Sequence, residues 1–303
     1  MTVTVAIPVL DGGARLAEVL QAVGDQRLDR EVELLVIDSG STDGSVELAR
    51  RHGARVEPIA RADFSHGGTR NRLMELSRGD HVAFLTQDAV PAGPHWLAAL
   101  LHGFTRAEDV ALACGPSLPR PDASAMVRRE LLEFFARFGG PRVDRGAGGL
   151  GPATFFSSAN GAVARRAWER IPFRALPYAE DHQLARDMLA AGLAKAYEPD
   201  AAVIHSHDAS LGRSFDDFRA LAEVHGHEEP LSPRFLAARI RNDVAADRAF
   251  MRREGLEVQT WRSLRHQSAR ALGRSLGANA DRLPPWARRA LSHDGRATFE
   301  RVA

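Results

Sequence analysis

One cysteine, Cys114, gives the chain no disulfide framework, and that suits a reducing compartment. No uninterrupted apolar run reaches the roughly 18 residues that a bilayer span needs. No basic-then-apolar leader precedes the opening Met1-Thr-Val-Thr. These absences predict a cytoplasmic protein. Three motifs are missing too: a GxxxxGK[ST] phosphate loop, a GxGxxG after the first strand, and a GxSxG elbow. Their absence removes support from P-loop hydrolases, dinucleotide oxidoreductases and serine hydrolases.

Lysine is nearly absent as well, since Lys195 is the only one. Charge balance is therefore a matter of arginine. The net charge is only +1, yet Leu231 to Ala303 holds 15 Arg against 7 Asp and Glu, or +8, leaving −7 on the first 230 residues. A basic tail on an acidic body suggests an anionic surface as partner, membrane lipid or nucleic acid. Arginines on solvated helix faces explain the same bias.

What is present is an ordinary globular composition, 44% hydrophobic and 26% charged, able to bury a full core. Val3-Thr-Val-Ala-Ile7 reads as a strand, with Pro8 at its end because proline cannot donate to a ladder. Ala14 to Val23 has helical spacing. Val32 to Ile37 is a second strand, and Asp38-Ser-Gly-Ser-Thr-Asp-Gly44 follows as a loop in which Asp43 caps the next helix. Arg55-Val-Glu57 makes a short strand. Phe64 to Asn71 opens a helix to about Ser77. Val82 to Leu85 and Val110 to Cys114 are further strands, separated by a helix over 93–104. Strands alternating with helices predict βαβ units and a mainly parallel sheet.

After Pro116 the rhythm changes. Met126, Val127, Leu131, Phe134, Phe135 and Phe138 form a helical apolar stripe, and Gly139 to Gly151 reads as a mobile glycine-rich loop. Asp181 to Ala191 is a helix, then Ala194 to Tyr197 and Ala201 to Ile204 are short strands. Beyond Ser214 the pattern is helical. We place a boundary near Pro230, giving a domain over 1–229 and a basic helical extension over 230–303.

Acids recur where strands or loops meet helices: Asp38, Asp88, Glu180 and Asp181. His205 and His207 follow Val203-Ile204 and share a face of an extended segment. Each residue also has a plain structural role open to it, as turn former, helix N-terminal acid or hydrogen-bonded histidine. Together they gain force, because a doubly wound sheet brings the loops after several strands to one edge. Asp and His suit Mn²⁺ or a similar ion. A metal ligand with a separate carboxylate base suits transfer of a group from a diphosphate carrier.

Six segments, in order, resemble the inverting family-2 glycosyltransferases of GT-A fold, and within them the bacterial rhamnosyltransferases. They are Ile7-Pro-Val-Leu-Asp-Gly-Gly13, Val36-Ile-Asp-Ser-Gly-Ser-Thr-Asp-Gly44, Phe64-Ser-His-Gly-Gly-Thr-Arg-Asn71, Phe84-Leu-Thr-Gln-Asp-Ala89, Ala179-Glu-Asp-His182 and Val203-Ile-His-Ser-His207. The resemblance implies a GT-A type, Rossmann-like mixed sheet flanked by helices. It implies that Pro8 and Leu10 flank the nucleotide base, that Asp38 hydrogen-bonds it, and that Arg70 and Gln87 face the donor. Asn160 would contact a sugar. Asp88 and His205 would hold a divalent metal, Mg²⁺ or Mn²⁺, and Asp181 would be the general base. Many relatives carry two acids in the metal motif, whereas Gln87-Asp88 supplies one charge. The implied donor is dTDP-L-rhamnose, with UDP- or GDP-sugars as alternatives, and the acceptor a glycan or lipid-linked glycan. A non-catalytic sugar-nucleotide-binding scaffold is the contrasting class. No nucleic-acid partner is expected. A homo-oligomer and peripheral contact with the inner membrane face through the basic tail are further expectations.

Overall fold

The computed structural model describes residues 2–293 apart from 147, 150 and 177. Strands are β1 (Val3–Val9), β2 (Val32–Asp38), β3 (Arg55–Pro58), β4 (His81–Leu85), β5 (Val90–Pro91), β6 (Val110–Cys114), β7 (Ser117–Leu118), β8 (Arg142–Arg145), β9 (Asn160–Ala164), β10 (Ala194–Tyr197) and β11 (Val203–Ile204). The α-helices are α1 (Gly13–Gly24), α2 (Ser45–Arg51), α3 (His66–Leu76), α4 (Trp96–His102), α5 (Ala125–Ala136), α6 (Arg165–Trp168), α7 (Glu180–Ala190), α8 (Leu211–His225), α9 (Pro233–Arg253), α10 (Thr260–Ala278) and α11 (Pro285–Leu291).

An eight-stranded sheet, ordered β3-β2-β1-β4-β9-β6-β10-β8, forms the frame. β1 pairs in parallel with β2 and β4, β2 with β3, and β6 with β10. β9 lies antiparallel between β4 and β6, and β8 antiparallel on the β10 edge. This is the mixed, mainly parallel, helix-flanked sheet of the GT-A fold. Val5, Ile7, Val36, Ala83, Leu85, Ala113 and Ala162 are buried in its core with Leu16, Val19 and Leu20 of α1. Strands covered on both faces read as unbroken apolar runs, which is why they were visible in the sequence.

Three details differ from the sequence reading. β1 runs through Pro8, paired there with Ile37. Its pairing with β4 ends at Ala6, so proline sits where β1 has a single ladder neighbour. Gly44, in the left-handed region at φ 86°, is the residue before α2, although Asp43 still accepts the backbone N–H of Ser45 at 3.0 Å. The segment expected as a loop, 139–151, contains β8. There the buried Lys195 ammonium lies 3.3 Å from Asp144, fastening an edge strand that has little apolar content of its own.

The chain divides into two units, one of 2–118 and 135–205, the other of 119–134 and the helices from Ser206 on. The helical unit thus begins well ahead of Pro230. Its reason is close packing: a Cβ on Gly277 of α10 would lie 2.2 Å from the Phe215 carbonyl oxygen, and one on Gly273 2.5 Å from that of Leu211. Bare glycines let α8 press onto α10, so α8 goes with the tail. Residues 294–303 of the expected extension lie outside the described part.

Candidate active site

The carboxyl ends of β1, β2 and β4 are stitched together by side chains. Gln87, just past β4, accepts the Leu10 N–H at 2.8 Å and donates to the Leu10 carbonyl at 3.0 Å. Asp11 accepts the Thr42 N–H at 2.7 Å, while its own N–H reaches Ser41 Oγ at 2.9 Å. Asp11 holds φ 47°, a left-handed conformation uncommon outside glycine, asparagine and aspartate. Pro8 and Leu10 therefore stand beside Asp38 at one sheet edge. Asp38 is 5% exposed, and its Oδ2 accepts the N–H groups of Gly40 and Ser41 at 3.0 and 3.1 Å. Its Oδ1 is buried without a partner. A buried carboxylate oxygen left open at this edge fits a donor N–H or O–H from a ligand.

A second, small sheet, β5-β11-β7, forms the neighbouring part of the edge. β5 runs antiparallel to β11 with Val90 opposite Ile204. That register brings the residues before β5 to those after β11. Asp88 Oδ1 consequently lies 3.5 Å from His205 Nε2, both half-buried. Carboxylate oxygen and imidazole nitrogen side by side form a donor set that fits Mn²⁺ or Mg²⁺. His207 follows in sequence and belongs to the second unit.

The third component is the start of α7. Motif residues from Ser65 to Asn71 position it. Ser65 caps α3 by accepting the Gly68 N–H at 3.1 Å. A Cβ on Gly67 would meet the Arg174 carbonyl oxygen at 2.0 Å, so glycine is what admits the 174–176 backbone there. Asn71 donates to the Phe173 carbonyl at 2.8 Å and accepts from Phe173 N–H and Trp168 Nε1 at 3.0 and 2.8 Å. Arg70, 4% exposed, lies 3.0 Å from Glu180 Oε1 and donates to the His66 carbonyl. Ala179 enters α7 at φ 57°.

Glu180 and Asp181 then diverge. Burial pushes Glu180 up to about 7, against the pull of Arg70 and with the help of the Asp181 charge. Burial also opposes ionisation of Asp181, but His182, Arg70 and the N–H groups of Ser158 and His182 outweigh it, holding Asp181 below the usual carboxylate value. Ser158 grips it twice, through its N–H at 2.9 Å and its hydroxyl at 3.2 Å, both on Oδ2. Glu180 is 4% exposed, whereas Asp181 is half-buried. Of the two carboxyls, Asp181 is the more exposed.

The same framework ties Asp181 to the metal-competent pair. Ser158 precedes β9, whose Asn160 lies opposite Leu85 at the end of β4, and Asp88 follows that strand. Asn160 accepts from Trp96 Nε1 at 2.8 Å and donates to the Pro116 and Ala201 carbonyls at 3.1 and 2.8 Å. Its amide is bonded to the scaffold, and that of Gln87 to the Leu10 backbone. Arg70 faces Glu180. Ser158, two residues before Asn160, takes a place in the site by holding Asp181. Cys114 is fully buried, and burial pushes its thiol up, so it is no nucleophile. A cavity of about 640 Å³ lies in the helical unit beside Glu229, Asn279 and Arg282. Glu229 is paired there with Arg239 and Arg274 at 2.6 and 2.7 Å.

Residues 4–168 match the model of glycosyl transferase family 2. The chain belongs to that family, and it is a glycosyltransferase. The O-antigen chain rhamnosyltransferase WbaN of Salmonella anatum is 31% identical over 221 residues, 71% of this chain and 69% of that protein. RfbN of Salmonella typhimurium, also an O-antigen chain rhamnosyltransferase, is 32% identical over 224 residues, 72% and 70% of the two chains. Among solved structures, the Pyrobaculum calidifontis mannosyltransferase PcManGT, in complex with GDP-Man and Mn²⁺, aligns with TM-score 0.61 at 16% identity. That alignment covers 93% of this chain and 88% of the other. At that identity it shows the shared fold.

Proposed function

We propose that this glycosyltransferase moves L-rhamnose from dTDP-L-rhamnose to a hydroxyl of a cytoplasmic glycan or lipid-linked glycan, inverting the anomeric centre. The observation that carries the chemistry is Asp181, kept ionised by Ser158 while its buried neighbour Glu180 is not. Asp181 takes the acceptor proton as the hydroxyl oxygen bonds to the anomeric carbon. The opposite bond, anomeric carbon to phosphate oxygen, breaks, and its electron pair leaves on the nucleoside diphosphate. Asp38 takes the donor's base through its open Oδ1, between the backbone of Pro8 and Leu10. Asp88 and His205 would hold a divalent ion, which when bound supplies charge neutralisation for the diphosphate. The similarity to two rhamnosyltransferases supports the sugar, and the Mn²⁺ complex of PcManGT supports the metal.

A panel of dTDP-, UDP- and GDP-sugars, read by thermal shift with Mg²⁺ or Mn²⁺ and with chelator, tests the donor. We expect the largest stabilisation from dTDP-rhamnose plus metal. A preference for UDP- or GDP-linked sugars would reassign the donor. In the Asp181→Asn enzyme, donor binding should persist while turnover falls by about 10²-fold or more. Unchanged turnover would point to the scaffold reading.

A further inference from the structure

Among the described residues, the exposed large apolar side chains all belong to one unit. They are Leu132, Leu231, Leu256, Trp261, Leu264, Leu272 and Trp286, every one in the helical unit. Three of them, Leu256, Trp261 and Leu264, cluster along the sequence where α9 turns into α10. Trp261 is 70% exposed. Trp261, Leu264, Arg265 and Leu272 recur at helical spacing and so share one face of α10. The same turn carries exposed Arg252, Arg253, Arg262 and Arg265 against two exposed acids, Glu254 and Glu257.

We propose that this turn and the α10 face dock on an anionic lipid bilayer. A tryptophan and leucines ringed by arginines match a surface with an apolar interior and a negative skin; indole settles at that boundary and guanidinium groups meet the headgroups. No described helix is long and apolar enough to cross a membrane, so the contact is peripheral. Charge selects lipid over a second copy of the chain. A two-fold interface sets a surface against itself, and here that would oppose arginine clusters within a segment of net charge +8. Each arginine brought to such a membrane strengthens binding about fivefold. The docking stands whichever sugar is transferred, and its readout needs no donor or acceptor.

Cosedimentation of the full chain with vesicles tests it. We expect binding to phosphatidylcholine vesicles containing phosphatidylglycerol, little binding to phosphatidylcholine alone, and weakening as salt rises. Trp261→Ser with Leu264→Ser should lower partitioning at least tenfold. Arg262→Glu with Arg265→Glu should lower it about 25-fold or more, two arginines at fivefold each. All four side chains are exposed, and circular dichroism will verify that both variants fold. Equal binding by wild type and both variants overturns the proposal. So does a wild-type dimer that Trp261→Ser with Leu264→Ser converts to monomer with vesicle binding unchanged, the sign of a second copy as occupant.

Discussion

Burial lifts Glu180 to about 7 from an ordinary 4.5. A carboxyl with a raised folded pKa binds its proton more tightly in the folded state, so stability is lost as pH climbs from 4.5 through 7. By pH 8 nearly all of that loss is expressed, on the order of a few kcal/mol. Glu180→Gln should therefore gain on wild type by up to a few kcal/mol between pH 5 and pH 8, as read by urea unfolding at both. A constant difference across that range would show that Glu180 ionises normally. Ser158→Ala tests the other half of the pair. It removes the hydroxyl bond to Asp181 Oδ2 and keeps the backbone one. Turnover should fall by about tenfold, with the acid limb of the pH–rate profile moving upward because an ionised carboxylate loses a donor. Ser158→Thr should restore both. A fall in turnover with an unmoved limb would make Ser158 merely structural.

At the scale of elements, tight glycine contacts give a stability prediction. Gly277→Val should destabilise the helical unit by about 2–3 kcal/mol, the ordinary cost of overpacking, because its Cβ meets backbone and not a side chain that can turn away. Chemical denaturation followed by circular dichroism measures this. A neutral result would mean that α8 and α10 separate easily. Such contacts mark the limit of what the sequence makes legible. The strands buried on both faces, and the acids at their ends, were readable from apolar runs and their polar terminations. β8 was not, since Arg-Val-Asp-Arg is held as an edge strand by Lys195, distant in sequence. The two-residue strands β5, β7 and β11 are too short to leave a periodicity, yet they bring Asp88 to His205. Side-chain amides were the least legible. Gln87 and Asn160 look the same in sequence whether they face a ligand or bind carbonyls, and only the fold shows that their bonds are internal.

Taken whole, the molecule carries proton linkages of both signs, lowered Asp181 and Glu33 standing in the same unit as raised Glu180. In the sheet unit, acid neutralises Glu180 and relieves its burial. In the helical unit, the loss runs the other way. Burial alone would raise Glu130, but bonds from His266 and Gln267 and the Arg270 charge bring it down to about 2. Glu229 is likewise lowered to about 2, its burial outweighed by Arg239 and Arg274. A depressed folded pKa contributes stability that is complete above 4.5 and is lost as pH falls through about 2. For Glu130, whose side chain is 15% exposed, the contribution is about 3 kcal/mol. Asp247, fully buried against Arg129, Ser263 and Gln267, shares the network that Glu130 closes, so weakening one end exposes the rest. Acid should therefore loosen the helical unit first. Pepsin at pH 3 is expected to make its earliest cuts within 206–293, sparing the sheet, and Glu130→Gln should bring the same cuts at a higher pH. Earliest cuts within β1 to β4 would contradict this order, because the two carboxyls lowered to about 2, Glu130 and Glu229, both lie in the helical unit.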